Sequence, residues 1–409
     1  MLKRKGKGSS QFWTGLVLRC WLLLLILMLI IQLTPLMVLA EDSPEFDLKA
    51  KSAVLMEVRT GELIYEKNAT EELPPASITK IMTMLIIMEA LDKGRISLDD
   101  QVVVSANAAR MGGSQVWLEV GEVMRLEDLL KTIAVVSAND SCVALAEHIA
   151  GSEQAFVKMM NERASELGLQ HTNFVNTNGL PAENGGEGNY TCARDVAIMS
   201  RELLKYPRVL EYTSIWIDYI RDGKNVLNNT NKLVRHYTGV DGLKTGYTVD
   251  AKYCLSATGE RNNLRFIAVV MACPDSETRF AETAELLAYG FSAFEAQQMA
   301  QRGEQMGTVQ VFNGLEDEVN AITAEDLYIP LRRGDEAGLE KKITLQQEVM
   351  APIKEGQVLG RITIFHDGRA LDSVAIIASK AVPRAGIFTM IARIFRDFSS
   401  LVSEKIWEN

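Results

Sequence analysis

Ser77-Ile78-Thr79-Lys80-Ile81-Met82-Thr83-Met84-Leu85-Ile86-Ile87-Met88-Glu89-Ala90-Leu91 is the stretch that decides the fold. As a helix it is apolar nearly all round, which places it inside a domain and not on a surface. Pro74-Pro75 stops whatever precedes it, and Ser77 stands near the helix start, where serine is favoured. The spacing from Ser77 to Lys80 puts both side chains on one helical face. A lysine on a buried face is costly unless it is paired or neutral. Desolvation lowers an ammonium pKa, and the free amine is then a base for the serine hydroxyl, beside the backbone N–H groups of a helix N-terminus.

Strands lie on both sides of this helix in the chain. Ala53–Val58 and Leu63–Tyr65 flank the turn signal Thr60-Gly61 and read as a hairpin. Helices follow at about Leu126–Val136, Asp140–Ala150, Glu153–Leu167 and Ala193–Leu204. Tyr253–Thr258 and Leu264–Ala272 read as paired strands, and Ser276–Phe294 as a long closing helix. Strands at both ends with helices between imply one sheet built from distant parts of the chain. That is an α+β domain over residues 41–298, entered through the acidic linker Glu41-Asp42-Ser43-Pro44-Glu45.

Beyond it, short alternating runs such as Thr308–Phe312, Gly360–Phe365 and Val374–Ile377, with turn signals like Asp367-Gly368, predict a small all-β domain over 299–382. Residues 383–409 carry apolar residues at helical spacing from Ile387 to Trp407, with Arg393, Arg396 and Lys405 at polar positions. This reads as an amphipathic helix lying on a membrane surface. Residues 1–40 combine a basic start, Lys3 to Lys7, with the apolar run Trp21–Ile31 and the small-residue site Val38-Leu39-Ala40. They read as an export signal, which puts the rest of the protein at the outer face of the cytoplasmic membrane or in the cell wall.

Of the 409 residues, 47% are hydrophobic and 23% charged, a globular balance that leaves no case for disorder. The first 40 residues hold five cations and no anion, so without them the net charge falls from −10 to −15. So acidic a body repels polyphosphate, and nucleic acid is excluded as a partner. Cys142, Cys192, Cys254 and Cys273 form no CxxC pair and read as buried free thiols. The four histidines are scattered, so no metal site is expected.

Two further motifs accompany Ser77 and Lys80. Ser137-Ala138-Asn139 precedes the buried helix at Asp140, where a hydroxyl is placed to relay a proton and an amide to hold a substrate amide. The same pattern at Ser105-Ala106-Asn107 follows a strand-like Val102-Val103-Val104 and reads as an ordinary helix cap. Lys244-Thr245-Gly246 lies among Gly239, Gly242 and Gly246, ahead of the Tyr253 strand. Alone, Lys244 reads as a solvated loop lysine.

In this order and context, the three motifs resemble the active-site set of penicillin-binding proteins and serine β-lactamases. Met111-Gly112-Gly113-Ser114-Gln115-Val116-Trp117-Leu118, His171-Thr172-Asn173-Phe174 and Asn178-Gly179-Leu180-Pro181 are similar to the serine D-alanyl-D-alanine carboxypeptidases in particular. The resemblance implies a β-lactamase/DD-peptidase-like catalytic domain, an antiparallel sheet flanked by helices. It implies Ser77 as nucleophile, Lys80 as its activator, Ser137 as proton shuttle and Asn139 as substrate orienter. Lys244, Thr245, Gly246 and Tyr247 would bind substrate, the first two holding a terminal carboxylate. The N–H groups of Ser77 and Tyr247 would make the oxyanion hole. Peptidoglycan stem peptides and β-lactam antibiotics are the implied partners, with no cofactor. Ala138 stands where glycine is usual and is expected to crowd the cleft slightly, and Tyr247 stands where histidine is also common.

Two other readings fit the motifs. A class A-like β-lactamase adds a Glu-x-x-Leu-Asn loop, which has no match between Ser137 and Lys244. A non-catalytic β-lactam-sensing or wall-binding protein would not need all of the chemistry retained here.

Overall fold

The computed structural model describes residues 46–181, 186–335 and 337–392. The expected signal at 1–40 and most of the expected helix at 383–409 lie outside the described residues.

The expected hairpin forms as β1 (Ser52–Glu57) and β2 (Leu63–Lys67). Next come α1 (Lys80–Asp92), α2 (Leu126–Val135), α3 (Asn139–Ala150), α4 (Glu153–Glu166) and α5 (Ala193–Leu203). The chain then returns as β3 (Val240–Thr248), β4 (Lys252–Arg261) and β5 (Leu264–Cys273), followed by α6 (Ser276–Ala293). The five strands form one antiparallel sheet in the order β2-β1-β5-β4-β3, so β1 pairs with β5 across more than 200 residues of chain and β3 is an edge. Both faces are covered, which explains the unbroken apolar run in β5. Ile267, Val269 and Met271 join the helical core, while Phe266 on the other face closes on Gly290 and Phe291 of α6.

Every residue of α1 from Lys80 to Ala90 is buried, as its all-round apolarity requires. The entry to it differs from expectation. Ser77 is not a helix cap but part of a tight 3₁₀ turn, Ala76–Thr79. Ala76 stands at φ 47°, and the Ile78 N–H donates to Pro75 O at 3.1 Å, the three-residue bond of a turn tighter than an α-helix.

Phe294, read in the sequence as the end of the closing helix, begins strand β6 (Phe294–Ala300), so helix passes to strand without a linker. Further strands follow as β7 (Gln305–Phe312), β8 (Glu318–Thr323), β9 (Leu327–Arg332), β10 (Leu339–Leu345), β11 (Glu348–Met350), β12 (Val358–His366) and β13 (Arg369–Ala378). β6 pairs with β9, and the rest form a sheet in the order β10-β12-β13-β8-β7-β11 over a second core around Val309, Ile329 and Ile362. The cysteines at 142, 192, 254 and 273 are buried and free, as expected.

Candidate active site

The 3₁₀ turn leaves Ser77 partly exposed at the mouth of a cleft and starts α1 at Lys80, directly behind it. Lys80 has no exposed surface. Its Nζ donates to Ser77 Oγ at 3.0 Å, to Asn139 Oδ1 at 2.7 Å and to the Asn178 carbonyl at 2.7 Å. Three acceptors satisfy the three ammonium donors, yet none carries charge. Burial therefore dominates and lowers the Lys80 pKa to about 8, against a partial opposing pull from Cys142 and Asp140.

Asn139 opens α3 and is fixed from both ends. Its N–H donates to Ser114 O at 2.7 Å and its Nδ2 to Gly112 O at 2.7 Å, leaving Oδ1 for Lys80. Ser137, two residues earlier, sits at φ 66° with its buried Oγ lacking any hydrogen-bond partner among the described residues. A strained, unsatisfied hydroxyl is unusual, and such features concentrate at functional sites. Ala138 does not crowd the cleft as expected, because its methyl lies fully buried in the main core. The sequence decoy behaves as expected: Ser105 Oγ caps the short helix Ala106–Ala109, accepting from Ala108 N at 3.0 Å.

Lys244 is not a solvated loop residue. It lies within β3, 1% exposed, with Nζ donating to the Thr245 carbonyl at 3.0 Å. Burial first, then the charges of Lys80 and Arg279, push its pKa well below the usual lysine range. Thr245 Oγ1 donates to Thr230 Oγ1 at 2.7 Å. Gly246 is required by close approach, since a Cβ there would lie 2.8 Å from Pro75 O and 3.2 Å from Ile78. The strand carrying Lys244 is thereby pressed against the turn carrying Ser77. Tyr247 is half exposed, its ring resting on Tyr253 at 4.4 Å between centroids.

The structure thus gathers Ser77, Lys80 and Asn139 in direct contact, and packs the Lys244–Gly246 strand beside them. It adds groups given no role in the sequence reading: the carbonyls of Asn178 and Gly112, and Asp140. Asp140 Oδ2 accepts from Val116 N at 3.0 Å and Leu118 N at 3.2 Å, pinning the loop that holds Asn139. A cleft of about 590 Å³ continues outward from Ala76 past Gly179, Leu180 and Tyr190 to Thr248.

Residues 38–275 match the family model of the peptidase S11 family, described as D-alanyl-D-alanine carboxypeptidase. The chain belongs to the D-alanyl-D-alanine carboxypeptidase family. Residues 294–384 match the C-terminal domain of penicillin-binding protein 5, the all-β region described above. The chain is 44% identical over 355 residues to D-alanyl-D-alanine carboxypeptidase DacF of Bacillus subtilis, covering 86% of this chain and 90% of that one. The crystal structure of a peptidoglycan synthesis regulatory factor (PBP3) from Streptococcus pneumoniae matches with TM-score 0.71 and 32% identity, over 82% of this chain and 100% of that one. Penicillin-binding protein D2 of Listeria monocytogenes in its ampicillin-bound form matches with TM-score 0.56 and 33% identity, over 61% and 100%. The chain is accordingly a serine-type D-alanyl-D-alanine carboxypeptidase, a hydrolase of the low-molecular-mass penicillin-binding proteins. These matches support neither the class A-like β-lactamase nor the non-catalytic alternative.

Proposed function

We propose that Ser77 removes the terminal D-alanine of peptidoglycan pentapeptide stems through an acyl-enzyme. The neutral amine of Lys80 takes the Oγ proton as Oγ attacks the carbonyl carbon of the penultimate D-alanine. The N–H groups of Ser77 and Tyr247 receive the oxyanion, where one such donor is typically worth about 10²–10³ in rate. The C–N bond then breaks, the proton passes through the Ser137 hydroxyl to the leaving amine, and water hydrolyses the ester. Asn139 orients the stem, which adds to the edge of β3 as a further strand. Lys244 and Thr245 hold the free carboxylate of the leaving residue, and the arriving charge restores the proton that burial disfavours on Lys244. A β-lactam follows the same route as far as the acyl-enzyme, consistent with the ampicillin-bound relative.

The observation that carries this reading is the 3.0 Å contact of Lys80 Nζ with Ser77 Oγ in a buried setting where its hydrogen-bond acceptors are all uncharged. Peptide mapping after benzylpenicillin treatment tests it: one drug mass is expected on the peptide containing Ser77. An adduct retained unchanged in Ser77→Ala would refute it.

The family acts on peptidoglycan outside the cytoplasm, and the basic-apolar start of the chain supports export through residues 1–40. Attachment to the outer membrane face through 383–409 is supported by the first turns of that segment. A helix begins at 387, with Ile387 and Phe388 74% and 89% exposed.

A further inference from the structure

Arg279 of α6 is a cation buried to 7% exposure, and among the described residues its guanidinium forms no ion pair and its Nε no hydrogen bond. Tyr253 and Phe280 lie against its guanidinium at 5.4 and 4.5 Å from their ring centroids. Burying an unpaired charge is costly, which makes such a group a place to look for function. Its hydrogen bonds show where the charge is directed. Nη1 donates to the Gly246 carbonyl at 3.2 Å and to the Cys254 carbonyl at 3.4 Å, and Nη2 to Ser276 Oγ at 3.3 Å.

The Gly246 carbonyl and the Tyr247 N–H belong to one peptide group. In a trans peptide they point in opposite directions across the strand. Gly246 is paired with Cys254, and Arg279 bonds the carbonyls of both, so the Gly246 carbonyl is engaged on the inner side of β3. The Tyr247 N–H is therefore aimed at the open edge, toward the turn that carries Ser77. A charged donor on the carbonyl draws electron density from the same peptide nitrogen and makes its N–H a stronger donor.

We propose that Arg279 is a positioning residue for acylation, holding and polarising the Gly246–Tyr247 peptide so that the Tyr247 N–H stabilises the oxyanion. This rests on the oxyanion hole proposed above. Strengthening one hydrogen bond by about 10–30%, where the donor is worth about 10²–10³, corresponds to about two- to eight-fold in rate.

The infrared stretch of a ¹³C-labelled acyl carbonyl, read in the full-length protein acylated by labelled benzylpenicillin, separates the two ideas. The native adduct is expected at lower frequency than the same adduct after denaturation; no difference would overturn the oxyanion hole itself and this proposal with it. Given that difference, Arg279→Gln should raise the native frequency and lower kcat two- to eight-fold with KM little changed, and Arg279→Lys should fall between. An unshifted carbonyl in both variants overturns the role of Arg279 while leaving the hole intact. So does a rise in KM confined to substrates with a free carboxylate, which would mean direct contact with substrate. Thermal unfolding is followed in parallel, and if Arg279→Gln does not fold, Arg279→Lys alone decides by the same frequency.

Discussion

Lys80 Nζ lies 3.0 Å from Ser77 Oγ, and its other two acceptors, the Asn139 amide and the Asn178 carbonyl, are uncharged. A lysine so placed gains hydrogen bonds but no counter-ion. Its lowered pKa thus follows from burial among neutral acceptors.

The pH dependence of acylation follows. Only the neutral amine accepts the Ser77 proton, and with a pKa of about 8 its fraction grows as pH rises. The second-order rate of benzylpenicillin acylation should increase about tenfold between pH 7 and 9 as a base of that pKa deprotonates. Lys80→Arg stays protonated throughout, so it should lose the rise and acylate about 10²–10⁴-fold more slowly. Stopped-flow fluorescence across that range checks both. A rate that falls with rising pH would make Lys80 act as a cation instead.

Gly179 sets the distance between the Lys80 acceptor and the Ser77 turn. It stands at φ +82°, and a Cβ there would lie 1.8 Å from Ala76 O. Gly179→Ala must therefore move either the turn before Ser77 or the Asn178 carbonyl. Left-handed strain and overpacking together cost about 2–6 kcal/mol, a fall in Tm of about 5 °C or more. Acylation should slow more than tenfold. Gly168→Ala is the comparison, because Gly168 has φ +72° with nothing within 4 Å. It should lose only about 1–3 kcal/mol of stability and keep its acylation rate.

How much of this was legible in the sequence varies with the kind of signal. α1 was readable because all-round apolarity leaves a 13-residue helix nowhere but the core. β1, β4 and β5 were readable from apolar runs between turn signals. β3 was not, since Val240-Asp241-Gly242-Leu243-Lys244-Thr245-Gly246 mixes charge and glycine, and its strand state comes from pairing with β4. Lys244 consequently looked solvated until that pairing buried it. Likewise the role of Asn178 is carried by a backbone carbonyl, which no side-chain pattern reports. Asn178-Gly179 was legible only as part of a family resemblance, which does not report what that segment approaches. Ser137 and Ser105 share a motif and were told apart by their flanking sequence: among the described residues one hydroxyl is buried and unpartnered, the other caps a short helix.

The structure also says where a truncation should be made to test membrane attachment. Ala385 N donates to Asn313 O at 2.8 Å and Arg384 bridges Gly314, so these residues complete the β-rich region. Ending the chain at Gly386 keeps both contacts and removes Ile387 onward. Each buried CH₂ is worth about 0.8 kcal/mol, so several large side chains suffice for reversible anchoring. The truncated, signal-cleaved protein should turn over soluble peptides at the full-length rate and leave the membrane fraction on sedimentation. Continued sedimentation with membranes would place the attachment elsewhere.

Lys244 offers the test of exopeptidase character. A carboxypeptidase must recognise a free terminal carboxylate, whereas an amide at the same position offers no charge. A charge-assisted hydrogen bond contributes about 1.5–3 kcal/mol, or about ten- to a hundred-fold. The wild type should therefore prefer a peptide ending in D-Ala-D-Ala over its C-terminal amide by at least that factor. Lys244→Ala should lose activity on the acid and most of the preference. Lys80 lowers the pKa of Lys244, whereas the pKa of Lys80 itself is set by burial against the pull of Cys142 and Asp140, so Lys244→Ala should leave the rise of rate between pH 7 and 9 in place. Measuring kcat/KM for acid and amide at pH 7 and again at pH 9 checks both expectations. An acid-to-amide ratio that Lys244→Ala leaves unchanged at both pH values would remove Lys244 from carboxylate recognition, and that task would pass to Thr245 or to the backbone edge of β3.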